Sequence, residues 1–231
     1  MLHTFQADFY RFFRSKAVWI TEAIFLLLTL FSAVGKANAV QTIQGVSSGH
    51  GNNTFIIIIL SMIVIGTDMA QQLYKNTLTS GVSRTSFFIS KGLVMACVIA
   101  LQMAIFYAFS FMVAAVLNGI GPLSASFLFQ FILVFCVQFL ATMAWTAMTT
   151  FVLYLSKSMI AALGAHLFCA SLTGALAQFY PKSQWLQHLT MSFDFELVQS
   201  SGVTMRIVLI ALLTGAALTA AGLYTLHKKD L

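Results

Sequence analysis

Long blocks of apolar residues run along most of the chain and are separated by short polar connections. A helix needs about 20 residues to cross a hydrocarbon core of about 30 Å. The apolar residues are contiguous, whereas the strands of a membrane barrel alternate apolar and polar residues. The pattern predicts an all-α membrane protein, a single domain over residues 1–231 with six transmembrane helices. The predicted spans are residues 17–34, 54–70, 92–117, 126–155, 159–179 and 205–226.

Two shorter stretches add detail to this pattern. Residues 1–16 are too polar to span, but Phe5 and Phe9 recur on one face while Asp8 and Arg11 lie on the other. This periodicity predicts a helix in the membrane interface. The fourth and fifth blocks are separated only by residues 156–158, which predicts a tight helical hairpin.

Composition and charge indicate the class of protein and the side of the membrane on which the termini lie. The chain is 59% hydrophobic and 8% charged, against about 25% charged residues in soluble domains, which excludes an ordinary soluble domain. Of the 12 lysine and arginine residues, only Lys36, Lys182 and Arg206 fall on the side opposite the N-terminus. Because basic loops stay inside, both termini are expected to be cytoplasmic. The charge of +6 favours contact with membrane lipid and calls for no nucleic acid.

Two connections on the outer side differ in character. Residues 35–53 are rich in Gly, Ser, Asn and Gln, and we expect a mobile loop without an apolar face. In residues 180–204, Trp185, Leu189 and Phe193 recur every four residues. This spacing predicts a short helix that presents one apolar stripe and acts as an outer gate over the release path, with His188 facing water.

Ionisable residues in or beside the spans are candidates for function. A charge at mid-span costs about 2.5–3.5 kcal/mol, so Glu22 is expected either in an ion pair at the inner boundary or at a substrate or proton site. Asp68 ends the second span as an interfacial anchor or as part of the same path. His166 fits either a hydrogen-bonded core residue or a proton relay.

Small residues at Ala211, Gly215 and Thr219 permit close helix packing, within one subunit or between two.

Motifs for enzyme chemistry are missing from the sequence. There is no G-x-x-x-x-G-K-[ST] string, so any nucleotide chemistry must come from another chain. The histidines and cysteines have no metal-ligand spacing. Residues 45–49 match G-x-S-x-G, but they lie between two membrane spans and lack the strand that a hydrolase elbow requires. An enzyme is not expected, and the chain is expected to bind no cofactor or metal.

The inner connection between the second and third predicted spans resembles a known family. It contains Lys75-Asn76, the run from Leu78 to Arg84 and a lysine, Lys91, at the next span. These strings are similar to those of ABC type 2 permeases, the small six-span membrane subunits of ABC exporters. Gln72-Leu73-Tyr74 departs from the family's usual Gly-Thr-aliphatic. Length and style are most similar to permeases that expel antimicrobial peptides, including the lantibiotic-immunity systems of Gram-positive bacteria.

The resemblance implies a mechanism. In such permeases this connection forms a coupling helix that docks on a separate ATPase, here through residues that are polar, basic or apolar anchors: Lys75, Asn76, Leu78, Thr79, Gly81 and Arg84. The resemblance further implies a homodimer that works with two ATPase chains, which hold the ATP and magnesium. It places the complex in the bacterial cell membrane, where it would export an amphipathic or hydrophobic substrate.

Another class of function stays open. Glu22 and Asp68 also suit a proton-coupled secondary transporter or channel, which would need no ATPase partner.

Overall fold

The computed structural model describes residues 2–30, 36–48, 58–70, 73–180, 182–191, 193–198 and 201–228, and the regular elements in these ranges are helices. In chain order they are α1 (Leu2–Arg14), α2 (Lys16–Leu30), α3 (Ala39–Ser48), α4 (58–70), α5 (Leu73–Thr79), α6 (Arg84–Asn118), α7 (Ala125–Ser156), α8 (Met159–Phe179), α9 (Gln184–Leu189), α10 (Phe195–Val198) and α11 (Ser201–Lys228).

Four helices in the described ranges are long and apolar enough to cross a membrane. They are α6, α7, α8 and residues Val203–Lys228 of α11, and they contain the last four predicted spans. The first two predicted spans are only partly described, because residues 31–34 and 54–57 lie outside the described ranges. Their described parts fall within α2, which has 15 residues, and within α4, which includes the apolar helix Ile58–Met69, so a count of six remains a prediction.

The predicted hairpin between α7 and α8 is confirmed. Lys157 adopts a left-handed conformation with φ of 57°, and its backbone N–H donates to the Leu153 carbonyl at 2.8 Å. Ser158 then caps α8 by accepting a hydrogen bond from the Ala161 N–H at 3.3 Å. One C-terminal and one N-terminal capping interaction therefore reverse the chain within two residues.

The segment of residues 35–53 differs from the expected loop. Its central part is α3, in which Val40, Ile43 and Val46 are buried and which packs against α6. Asn38 starts the helix, because its side-chain oxygen accepts a backbone N–H of the first turn at 2.9 Å. The three-residue spacing of the apolar side chains is a helical signal that the many polar residues obscured. Residues 49–53 lie outside the described ranges.

Some of the small residues of α11 lie close to neighbouring helices of the same subunit, whereas Thr219 is exposed. Ala211 is buried, and a Cβ at Gly215 would lie 3.5 Å from the Ala144 backbone on α7. A Cβ at Gly222 would lie 3.4 Å from the Phe88 ring on α6. These contacts show packing within the subunit at Ala211, Gly215 and Gly222, and a subunit interface that includes Thr219 stays a prediction.

Helix α4 contains an irregular turn. Residues Met62–Gly66 are π-helical and are followed directly by the α-helical residues Thr67–Ala70. A π turn holds one extra residue and is often found at functional sites. In this protein it ends two residues before Asp68.

Candidate functional site

Four charged side chains from three helices meet at one end of the bundle. We call this the inner end, following the orientation predicted from the basic residues. Asp8 and Arg11 lie one turn apart on α1, Asp68 lies on α4 and Lys91 lies on α6. Asp8, Asp68 and Lys91 are buried, at 7%, 3% and 2% exposed. We refer to these four residues as the inner ion network.

Each base in the inner ion network contacts both acids. The Arg11 guanidinium lies 2.7 Å from Asp8 and 2.8 Å from Asp68. The Lys91 ammonium lies 2.7 Å from Asp8 and also pairs with Asp68. The network is formally neutral, with two carboxylates and two cations. Burial of such charges is tolerated only when they are paired.

The network ties the N-terminal helix to the spans. α1 is helical as predicted, and it packs against α6 and α4, although its place in the membrane interface stays a prediction. Phe12 of α1 is buried beside this contact. The buried Tyr154 hydroxyl of α7 also lies near both carboxylates. Movement of α4 relative to α6 would therefore disturb α1 as well.

The predicted coupling segment lies between two paired residues of this network. Asp68 precedes α5 and Lys91 follows it, so their ion pair closes residues 68–91 into a loop. Within it, Tyr74 is buried, whereas Lys75 and Thr79 are exposed. Asn76 and Leu78 belong to the same short helix. The coupling segment therefore exposes Lys75 and Thr79, while the Asp68–Lys91 ion pair holds its two ends together.

The last two predicted coupling residues end this segment. Gly81 has a φ of +91°, a conformation that favours glycine. Arg84 does not point away from the protein, because it donates to the carbonyls of Leu226 and His227 at 3.1 and 2.9 Å. These carbonyls lie in the last turn of α11, where a cation stabilises the helix end. Sequence reasoning missed this role of Arg84.

Glu22 does not join the inner ion network. Its side chain is 7% exposed and lies beside the Gln102 side-chain amide of α6. Neither Glu22 Oε1 nor Gln102 Nε2 completes a well-formed hydrogen bond within the described ranges. The ion pair expected for Glu22 at the inner boundary is not seen among the described residues.

A second polar cluster lies toward the opposite, outer end. The Tyr107 hydroxyl of α6 donates to Gln138 of α7. The Gln138 amide nitrogen donates to the Ser47 carbonyl of α3 at 3.1 Å and to the Phe193 carbonyl at 2.6 Å. One side chain therefore holds α3 and the outer segment against the bundle. Nothing in the sequence pattern singled out Gln138.

The predicted apolar stripe of the outer gate is not continuous. α9 ends at Leu189, and Met191 has a φ of +52°, so the chain turns before Phe193. Trp185 is 67% exposed and Leu189 is 39% exposed, but Phe193 is 2% exposed in the core. The prediction of one helix carrying all three residues is wrong, because the turn rotates Phe193 onto a different face.

Two further histidines, one on α8 and one on α9, are buried. The His166 ring lies 3.3 Å from the Thr149 hydroxyl and edge-on to Trp145 at 5.1 Å, which matches the expectation of a hydrogen-bonded core histidine. His188 is buried and does not face water as predicted. Burial, together with the nearby charge of Arg206, lowers the pKa of His188.

The remaining described residues offer no metal centre, since no group of three or more His, Cys, Asp or Glu side chains is arranged to hold an ion there.

Comparison with known protein families identifies the family of this chain. A family model described as ABC-2 family transporter protein matches residues 4–174, from α1 through most of α8. That region includes the inner ion network and the coupling segment. No curated protein matches the chain. The apolar spans, together with a family match over most of the chain, identify a multi-pass membrane protein. The chain belongs to the ABC-2 family, the membrane permeases of ABC transporters.

Proposed function

We propose that the chain is the permease of an ATP-driven exporter, with α5 as the contact for a separate ATPase. The observation that carries this proposal is the Asp68–Lys91 pair, which closes the coupling segment while Lys75 and Thr79 remain exposed. Force applied to α5 would reach α4 and α6 together. ATP and magnesium would be bound by the partner chain.

A charge reversal at Lys75 tests this contact. Lys75→Glu leaves the buried side of the segment intact and should abolish co-purification of the ATPase and transport-linked ATP hydrolysis. Lys16→Glu is the matched control, since Lys16 is also exposed near the inner end but lies outside the coupling segment. Equal ATPase recovery and equal hydrolysis in both variants would contradict the proposal.

The complete exporter would contain two copies of this permease and two ATPases. In the dimer each chain would contribute six spans, with the interfacial α1 and both termini in the cytoplasm. Mass measurement of the reconstituted complex would give the stoichiometry. A monomeric permease with full activity would exclude this arrangement.

The proposed cargo is an amphipathic antimicrobial peptide, moved outward from the cytoplasm or the membrane in a Gram-positive bacterium. The 22 phenylalanines and 11 methionines suit apolar ligands of varied shape, because methionine side chains adapt to their contacts. Cells that express the permease and its ATPase should tolerate a lantibiotic that kills cells expressing an ATPase-inactive partner. Equal sensitivity would refute this cargo.

We propose that the outer segment still acts as a gate over the release path, but that Trp185 and Phe193 have different roles in it. Trp185 would close the release path from the surface, while Phe193 anchors the segment through the Gln138 contact. Trp185→Ser should therefore change cargo release and leave assembly intact. Unchanged release would leave the segment as a passive anchor.

The second candidate is a proton-coupled secondary transporter or channel. Glu22 favours it, as a buried carboxylate without an ion pair among the described residues. Transport that persists without any ATPase and collapses with the proton gradient would support it. Transport that stops when the ATPase is inactivated would exclude it.

A further inference from the structure

An apolar groove of about 500 Å³ lies on the bundle between α6, α7 and α11. Its floor includes Ala96 of α6 and Ala147 of α7, and its rim includes Leu93 and Leu212. Leu93 and Leu212 are 47% and 49% exposed. Because these helices have the length and hydropathy of membrane spans, the groove opens toward the bilayer.

The groove occupies the inner half of these helices. Along α7 its lining runs from Leu140 to Tyr154, about 20 Å at the helical rise of 1.5 Å per residue. One leaflet is half of a hydrocarbon core of about 30 Å. At about 20 Å the groove is longer than the roughly 15 Å of one leaflet, so it is long enough to hold a single acyl chain.

Basic residues lie at the helix ends beyond the inner end of the groove, whose lining reaches Phe88, Tyr154 and Gly222. Each of the three helices has a basic residue at this end: Arg84 opens α6, Lys157 follows α7 and Lys228 ends α11. None of the three helices contains an aspartate or glutamate. Lys228 also lies 5.5 Å from the ring centre of Tyr224. This end of the groove is thus complementary to an anionic headgroup.

We propose that the groove binds an anionic phospholipid of the inner leaflet. One acyl chain lies against Ala96 and Ala147, and the phosphate lies near Lys157 and Lys228, while Arg84 stays bound to the end of α11. Basic pockets between helices on the inner side bind such headgroups. A second copy of this chain is a poorer occupant, because Gly215 and Gly222, which line the groove, already pack against helices of their own subunit.

Two glycines supply one blocking variant and its matched control. A Cβ at Gly92, which lines the groove, meets no atom within 4 Å, and neither does a Cβ at Gly164 on α8, which is outside the groove. Gly92→Phe should therefore fill the groove, and Gly164→Phe should not. Ala96→Phe fills the same space from a second position.

The full-length chain, purified in detergent, would be mixed with equal amounts of phosphatidylglycerol and phosphatidylcholine. Native mass spectrometry then counts the lipids retained. The natural chain should retain phosphatidylglycerol preferentially. Gly92→Phe and Ala96→Phe should lower that retention about tenfold, or about 1.4 kcal/mol. Gly164→Phe should retain it fully.

The headgroup contact is tested separately. Lys228→Gln changes an exposed side chain and should reduce the preference for phosphatidylglycerol about fivefold, as expected for about 1 kcal/mol per basic residue. Equal retention of both lipids by the natural chain would overturn the proposal. So would full retention by both blocking variants, or a disulfide between two copies through Leu212→Cys in a chain otherwise free of cysteine.

Discussion

Lys91→Met removes the ammonium group that contacts both Asp8 and Asp68. The side chain keeps its length, so the groove and the neighbouring Phe87 ring, 5.4 Å from the ammonium, should retain their packing. Arg11 alone would then face two buried carboxylates, leaving one negative charge uncompensated. Removal of one partner from a buried ion pair costs about 3–5 kcal/mol. We expect a loss of this size in the free energy of unfolding.

A double variant separates the charge effect from lost packing. Lys91→Met combined with Asp68→Asn leaves Asp8 and Arg11 as a balanced pair. The double variant should therefore be more stable than Lys91→Met alone. The coupling between the two substitutions should fall in the range of about 0.5–3 kcal/mol typical of contacting residues.

Detergent-induced unfolding of the purified chain, followed by helical circular dichroism, measures these differences. Lys16→Met is the control, since Lys16 is exposed and its loss should change stability little. The reasoning fails if Lys91→Met is as stable as the control. It also fails if the double variant loses at least the sum of the two single losses.

Further predictions concern the outer end, α11 and Glu22. Gln138→Leu should make residues 182–198 more open to proteolysis, with a loss of about 1–3 kcal/mol from unpaired buried carbonyls; Gln178→Leu, at an exposed site, should not. Because the pKa of His188 is lowered in the folded chain, the unfolded chain binds the proton more readily, so stability of the outer segment should fall as the pH drops below about 6.5. His188→Gln should remove that pH dependence, measured by thermal unfolding. Arg84→Ala should increase hydrogen exchange in the last turn of α11. Glu22→Gln should alter transport; equal transport across the neutral pH range would show that the carboxylate neither carries protons nor pairs with a required cation.

The sequence predicted long helices well because the length of an apolar block is a local property. α8 coincides with its predicted span, 159–179, and the hairpin before it follows from block length alone. α3 was missed, since three apolar positions among glutamines and serines give a weak signal. The break after Leu189 was also missed, because Met191 is not a residue type that marks a positive φ.

Partners distant in sequence were harder to predict. The polar face of α1 and the acid that ends α4 were visible, but nothing local indicates that Asp8 meets Lys91, 83 positions away. The same holds for Gln138, whose partners lie on α3, α6 and the outer segment. Such pairing depends on helix packing, which periodicity does not specify.

The π-helical turn at Met62–Gly66 determines the direction in which the Asp68 carboxylate points. One residue of an α-helix corresponds to about 100° of rotation, so the extra residue of the turn sets the angular position of everything after it. If the turn relaxed to a regular α-helix, Asp68 would swing by about that angle away from Lys91. The irregular turn therefore sets the rotational position of α4 after Gly66. Deletion of Val64 would remove the extra residue and let a regular α-helix keep Asp68 facing Lys91, whereas one further inserted residue would misalign the acid without changing any charge.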